Sequence, residues 1–178
     1  MNKLYVLMFF FSLMFFSCTE KSEKKKNMTQ EDLAKLEKPL EAVNRYLVTK
    51  DSEIIQNYAK RRNWEMHQSE TGVWYMIYEK TGGEKAIQGK IATINYNVFL
   101  LNGTLCYSSD SLGQKSFLIG RGGVESGLEE GILLMKQGEK ARLIMPPFKA
   151  HGLLGDMKKI PSRAIVLYEI ELVKLTDK

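Results

Sequence analysis

Apolar residues fall into three regimes along the chain: a solid run near the N-terminus, a spacing of three and four between residues 33 and 58, and alternation from about residue 72 onward. In the second regime Leu33, Leu36, Leu40, Val43 and Leu47 form one stripe of an amphipathic helix. Pro39 lies inside that stripe and lacks a backbone donor, which predicts a kink or a restart near Lys38. Asp51 suits the N-cap of a second helix carrying Ile54, Ile55 and Tyr58. The third regime reads as strands. "GVWYMIYEK" is one, closed by the turn "TGGEKA". In "ATINYNVFLLNGTLCYSS", Ile94, Tyr96 and Val98 alternate with Asn95 and Asn97, and Asn102-Gly103 predicts a hairpin with a type I′ turn. In "IVLYEIELVKL", Val166, Tyr168, Ile170 and Leu172 share a face opposite Glu169 and Glu171. Val124, Leu128 and Ile132 fall four apart, the buried stripe of one short helix. Gly127 inside it costs about 1 kcal/mol against alanine, which implies a close approach to the backbone there. Antiparallel strands with one short helix make an α+β domain, residues 67–178, behind a small helical N-terminal segment, residues 29–66.

The first regime changes where the protein is expected to reside. Lys3 precedes "LYVLMFFFSLMFFS" and then Cys18, a run too short to span a bilayer and fitted to a signal peptide of residues 1–17. Ser17-Cys18 resembles the lipobox of bacterial lipoproteins, in which the cysteine thiol is acylated and becomes the new N-terminus. Phe15 and Phe16 depart from the commoner residues there, and the alternative is a secreted protein cut elsewhere with an incidental cysteine. Two acyl chains on Cys18 would tether the protein to a membrane without spanning it. Residues 18–28 are polar and read as a flexible tether. The expected location is the envelope of a Gram-negative bacterium, with Thr19 compatible with an outer-membrane anchor facing the periplasm. Cys106 is the other cysteine, so an acylated Cys18 leaves no intramolecular disulfide.

Composition adds little and excludes some classes. At 178 residues and 44% hydrophobic, the chain can bury one sizeable core. The formal charge of +5 falls to +4 once residues 1–17, with one lysine and no acid, are removed. Basic residues are scattered except in "KSEKKK", Lys21 to Lys26, which reads as a solvated linker or a contact for anionic headgroups, and nucleic acid is not an expected partner. His67 and His151 are too few and too isolated for a metal site, His67 reading as a linker surface residue; no metal and no cofactor is expected. Ser108 and Ser109 have no evident paired base. The glycines of "GRGGVESGLEEG" match neither a P-loop nor a dinucleotide fingerprint, because no Gly-Lys-Ser/Thr and no Gly-x-Gly-x-x-Gly occurs.

Those glycines stand in a run of segments in consistent order: "YNVFLLNGT" (Tyr96 to Thr104), "SS" (Ser108, Ser109), "FLIG" (Phe117 to Gly120), "VESGLEEG", "MKQGEKA", "PPFKAHG", "IP" (Ile160, Pro161) and "LYEIEL". Over residues 89–175 this resembles the FKBP-type peptidyl-prolyl cis-trans isomerases. The rest of the chain, with "GVWY" ahead of the domain, resembles lipoprotein members associated with gliding motility. The resemblance implies an antiparallel sheet curled around one short helix and a proline-peptide pocket beneath it. Its floor would be Leu128, where many members have tryptophan, with Val124 beside it. Tyr96 and Tyr168 would be walls, Ile160 would project from the long loop before the last strand, and Phe117 would support from below. The backbone N–H of Glu125 would donate to the substrate carbonyl, and His151 stands where the family has a tyrosine hydroxyl. The family's Phe-Asp pair is Cys106-Tyr107 here, Lys115 replaces a rim aromatic, and Glu125 replaces an aliphatic residue.

Such a site requires no nucleophile or metal, since an apolar pocket and a few fixed donors favour the twisted amide over the planar one. The resemblance implies an isomerase acting on Xaa-Pro bonds of exported proteins. Cys106, Tyr107 and Lys115 favour the alternative of a catalytically weak peptide-binding chaperone or assembly subunit, and a purely structural lipoprotein has little use for the pocket frame. The helical stripe is open to two readings, packing on its own domain or a homodimer seam through residues 29–62.

Overall fold

The structure, a computed structural model, describes residues 30–178. The expected signal peptide (residues 1–17), the expected tether and Cys18 lie outside the described residues. One compact unit spans Glu41–Lys178; of the other, Met1–Leu40, the described part is the beginning of a helix.

That helix, α1, runs Gln30–Arg61. It continues through Pro39, so the proline removes one backbone bond and the rest of the ladder persists; the helix does not restart near Lys38. Nor does a second helix start at Asp51, which lies mid-helix and buried. The 3.6-residue period puts Asp51, Ile55, Tyr58 and Ala59 on one buried face, and the Asp51 carboxylate takes the Arg163 guanidinium instead of capping. Ile54 points outward, as do Leu40 and Val43, which are 59% and 54% exposed. The reading of that stripe as packing on its own domain therefore fails at both positions.

Seven strands follow, all antiparallel: β1 His67–Gln68, β2 Trp74–Glu79, β3 Ile91–Leu100, β4 Leu105–Ser108, β5 Lys115–Leu118, β6 Lys140–Met145 and β7 Val166–Thr176. Their order is β1-β2-β6-β7-β3-β4, with β5 also on β3. His67 is thus a strand residue, exposed and with its ring 5.7 Å from that of Tyr75, and not part of a linker. Helix α2 is the short Ser109–Leu112, and α3 is Ser126–Leu134.

Both faces of the central strands are covered, which explains the unbroken apolar runs "LIM" and "VLY" where simple alternation is not enough. One face carries Leu143, Met145, Val166, Tyr168 and Ile170 against Leu128 and Ile132 of α3. The other carries Ile144 and Leu167 against Ile55 and Tyr58 of α1. Fully burying each of these side chains contributes about 1.5–3 kcal/mol. Val124 is not on α3, which begins two residues later; it is a half-buried loop residue packed on the same core.

Helix α3 lies on the sheet at backbone distance because of Gly127 and Gly131. A methyl at Gly127 would overlap Met145 Sδ, and one at Gly131 would overlap Leu143 Cδ1. The hairpin between β3 and β4 forms at Asn102-Gly103, but not as type I′. Gly103 has φ +93° and Asn102 is not in the left-handed region. Gly103 N–H donates to Leu100 O at 2.9 Å, giving a longer loop closed by a left-handed glycine.

Candidate peptide-binding site

A cavity of about 320 Å³ opens where β3, β4 and β7 meet the start of α3 and the long loop between the 3-10 turn Pro147–Lys149 and β7. Tyr96 and Val98 reach it from β3, Tyr107 from β4 and Tyr168 from β7; Leu112 and Lys115 stand on one side, and Glu125, His151, Asp156 and Lys158 on the other. Tyr96 sits in the gap between the β4 and β5 pairings of β3, and its N–H donates to Ser109 Oγ at 3.1 Å. Ser108 Oγ caps α2 by accepting from Asp110 N–H. Both serines are thereby used structurally.

Of the residues expected at the site, Tyr96, Tyr107, Glu125, His151 and Tyr168 come together around this cavity. Leu128, Phe117, Cys106 and Ile160 do not line it. They are buried in the core cluster beneath, with Leu128 at 0% exposure and Val124 packed against the same cluster. Burial raises the Cys106 thiol pKa, so it acts as a small apolar group.

The cavity is less apolar than a simple proline pocket. Glu125, the residue before α3, turns its carboxylate inward. Tyr168 Oη donates to Glu125 Oε1 at 2.9 Å, His151 Nε2 lies 3.2 Å from the same oxygen, and Lys115 Nζ lies 4.0 Å from Oε2. By strict hydrogen-bond geometry His151 Nε2 and Glu125 Oε2 are without a partner among the described residues, so the His151–Glu125 contact is a close polar approach. Burial alone would raise the Glu125 pKa. The His151 ring, the residue's own backbone N–H, Lys115 and Tyr168 outweigh it and hold the carboxyl at about 2. Burial first, then the Glu125 charge, push the Tyr168 phenol far above its usual range, so it remains a donor. The amide expected to meet the substrate carbonyl thus shares its surroundings with its own carboxylate.

Sequence reasoning missed Asp156. Tyr107 Oη donates to Asp156 Oδ2, while the amides of Lys158 and Ile160 donate to Oδ1 at 2.9 and 2.8 Å. Desolvation opposes ionisation, yet the Tyr107 and backbone donors keep this carboxyl at about 2. Asp156 thus brings a carboxylate to the cavity beside Tyr107, 49 positions away in the chain. No local pattern signals such a pair. A larger groove of about 470 Å³ follows β2 past Glu65, His67 and Tyr78, and none of the expected site residues lies in it.

The family model for FKBP-type peptidyl-prolyl cis-trans isomerase matches residues 82–173. The chain belongs to that family. It is 36% identical over 96 residues to the FK506-binding protein of Neisseria meningitidis serogroup A, covering 53% of this chain and 88% of that one. It is 36% identical over 99 residues to the bovine (Bos taurus) peptidyl-prolyl cis-trans isomerase FKBP10, covering 55% of this chain and 17% of that much longer protein. Among solved structures, FkpA from Escherichia coli aligns with TM-score 0.62 at 23% identity, over 85% of this chain and 75% of its own, a likeness of fold. AtFKBP13 aligns with TM-score 0.59 at 29% identity, over 63% of this chain and 99% of its own. The antiparallel sheet wrapped on one short helix is thus an FKBP-like fold, and the cavity described above lies inside the family domain.

Proposed function

We propose that this chain is a peptidyl-prolyl cis-trans isomerase acting on Xaa-Pro bonds of exported proteins. The observation that carries the reading is the cavity walled by Tyr96, Val98, Tyr107 and Tyr168 within an FKBP-type domain. The planar amide resists rotation by about 18–20 kcal/mol because of resonance. Tyrosine walls strip water from the bound amide and favour its less polar twisted form. In this reading the His151 ring and the Glu125 amide, which also bonds its own carboxylate, hold the flanking carbonyls. Leu128 acts from below by keeping Tyr96 and Tyr168 packed. No bond is broken, so the residues need only shape and orientation.

The test is exchange of Xaa-Pro tetrapeptides followed by NMR, with the full chain in detergent micelles at catalytic amounts. Uncatalysed exchange takes tens of seconds, and acceleration well beyond it is the expected result. Peptide shifts perturbed without acceleration would make the protein a binding module on the same frame, a reading favoured by the two carboxylates in the cavity.

We also propose that Cys18 is acylated and tethers the protein to the envelope of a Gram-negative bacterium, on the periplasmic side of the outer membrane, as in the gliding-motility-associated lipoproteins. The sequence "FFSCTE" supports it. Incorporation of an alkyne fatty acid in cells, abolished by Cys18→Ser, is the expected result. The exposed Leu40, Val43 and Tyr46 on α1 support a homodimer seam. Light scattering of the full chain should give twice the monomer mass, and Leu40→Asp with Val43→Asp should return it to monomer; a monomer from the start removes the seam.

A further inference from the structure

The loop from His151 to Ala164 bounds the cavity through His151, Asp156 and Lys158. Internally it is tied by Asp156, and it is tight at Gly155, where a side chain would collide with the carbonyls of Ile160 and Pro161. Ile160 is buried in the core and Cys106 Sγ lies 3.6 Å from Lys159 O, and two side-chain ties involve charged groups of the loop. One is Tyr107 on Asp156. The other is Arg163, which stands outside the cavity.

Arg163 holds a left-handed backbone, φ +56°, a conformation costing of order 1 kcal/mol for a residue with a Cβ. Its N–H donates to Gly152 O at 3.2 Å, next to His151. Its guanidinium Nη2 donates to Asp51 Oδ1 at 3.3 Å and Oδ2 at 3.0 Å. Asp51 is 8% exposed, on the face of α1 that packs Ile55 and Tyr58 onto the sheet. The helix on one face of the sheet thereby holds the foot of the loop that shapes the cavity on the other. Burying a carboxylate in this way is a poor device for stability, because an apolar pair of similar volume generally serves as well or better. What a guanidinium–carboxylate pair adds is fixed geometry.

We propose that Asp51 is a positioning residue for the peptide cavity: through Arg163 and its bond to Gly152, it sets where His151 stands against Glu125. The proposal rests on the isomerase reading for its activity readout and on no part of it for its structural one. Loss of the tie lets the loop foot drift and weakens the hold on bound peptide, while the tyrosine walls that act on the twisted amide remain.

The experiment uses the full chain with Asp51→Asn, Asp51→Glu and, as a control on the same helix face without the tie, Ile55→Val. KM and kcat for a tetrapeptide are read beside the backbone amide shifts of His151 and Gly152. Asp51→Asn should raise KM about tenfold with kcat within about twofold, and should move both amides. Asp51→Glu should recover most of the loss. Ile55→Val should lower the melting temperature and leave KM and both amides as in the parent. Unchanged KM and unchanged amides in a folded Asp51→Asn overturn the proposal. If Asp51→Asn does not fold, Arg163→Lys, which keeps the charge and loses the planar fork, decides by the same readouts. If the parent itself shows no isomerisation, the isomerase reading falls, and the amide shifts alone decide the positioning role.

Discussion

Tyr168 Oη donates to Glu125 Oε1 at 2.9 Å, so the last strand and the start of α3 meet inside the cavity through a charged hydrogen bond. Hydrogen bonds to charged groups contribute about 1.5–3 kcal/mol, and leaving one partner buried alone costs a similar amount. Tyr168→Phe and Glu125→Val should each destabilise by about 2 kcal/mol, while the double variant should cost far less than their sum. Denaturant unfolding of the four proteins measures the coupling. Because the double variant removes one of the cavity's two carboxylates and a phenol hydroxyl, its isomerisation rate should rise about tenfold, equivalent to 1.4 kcal/mol in the barrier.

Acid should destabilise the domain in a defined window. Glu125 has its folded pKa lowered from 4.5 to about 2. Its contribution is complete above pH 4.5 and is lost as pH falls toward 2, amounting to no more than ~3 kcal/mol. Asp156, lowered from 3.8 to about 2, adds to the same trend over the lower part of that window. Asp51 opposes it, because burial raises its pKa. Urea midpoints from pH 6 to pH 2 should fall, and Glu125→Gln should flatten the profile.

Gly127 and Gly131 hold α3 at contact distance from β6. Replacing either with alanine forces Met145 or the branched end of Leu143 to move, an overpacking worth about 1–3 kcal/mol. That outweighs the gain in helix propensity, about 1 kcal/mol, so both variants should have lower denaturant midpoints. Leu128→Ala, which empties a fully buried position, should cost 2–5 kcal/mol.

Tyr107 and Asp156 form the other cross-tie of the cavity. Tyr107→Phe should leave the fold intact, because Asp156 keeps its two amide donors, and should increase the mobility of residues 153–159. Faster amide exchange confined to that loop, with a severalfold weaker peptide affinity, is the expected pattern; global exchange at the parent rate elsewhere separates it from unfolding.

How far the sequence reached can be traced residue by residue. Period-two alternation in "ATINYNV" and "LYEIEL" marked β3 and β7, since a half-buried strand must alternate, and the walls Tyr96 and Tyr168 lie on them. The close approach implied by Gly127 is real, because a glycine inside a helix needs a compensating contact. Three local expectations failed, and at one of them, Asp51, a tertiary contact outweighed local preference. Asp51 found Arg163 across 112 residues and did not cap. α1 did not restart at Pro39, and Asn102 yielded the left-handed position to Gly103 alone.

The sequence by itself determined the strand and helix periods, because each depends on neighbours within a few residues, together with the family motifs and the need for a close approach at Gly127. Only the tertiary structure decided that Leu128 is buried in the core and does not line the cavity, that Glu125 and Asp156 stay ionised in it, and that α1 reaches the loop through Asp51. Those facts depend on burial and on partners 43 to 112 residues apart, and the charge of a buried group is set by such partners rather than by its position in the chain.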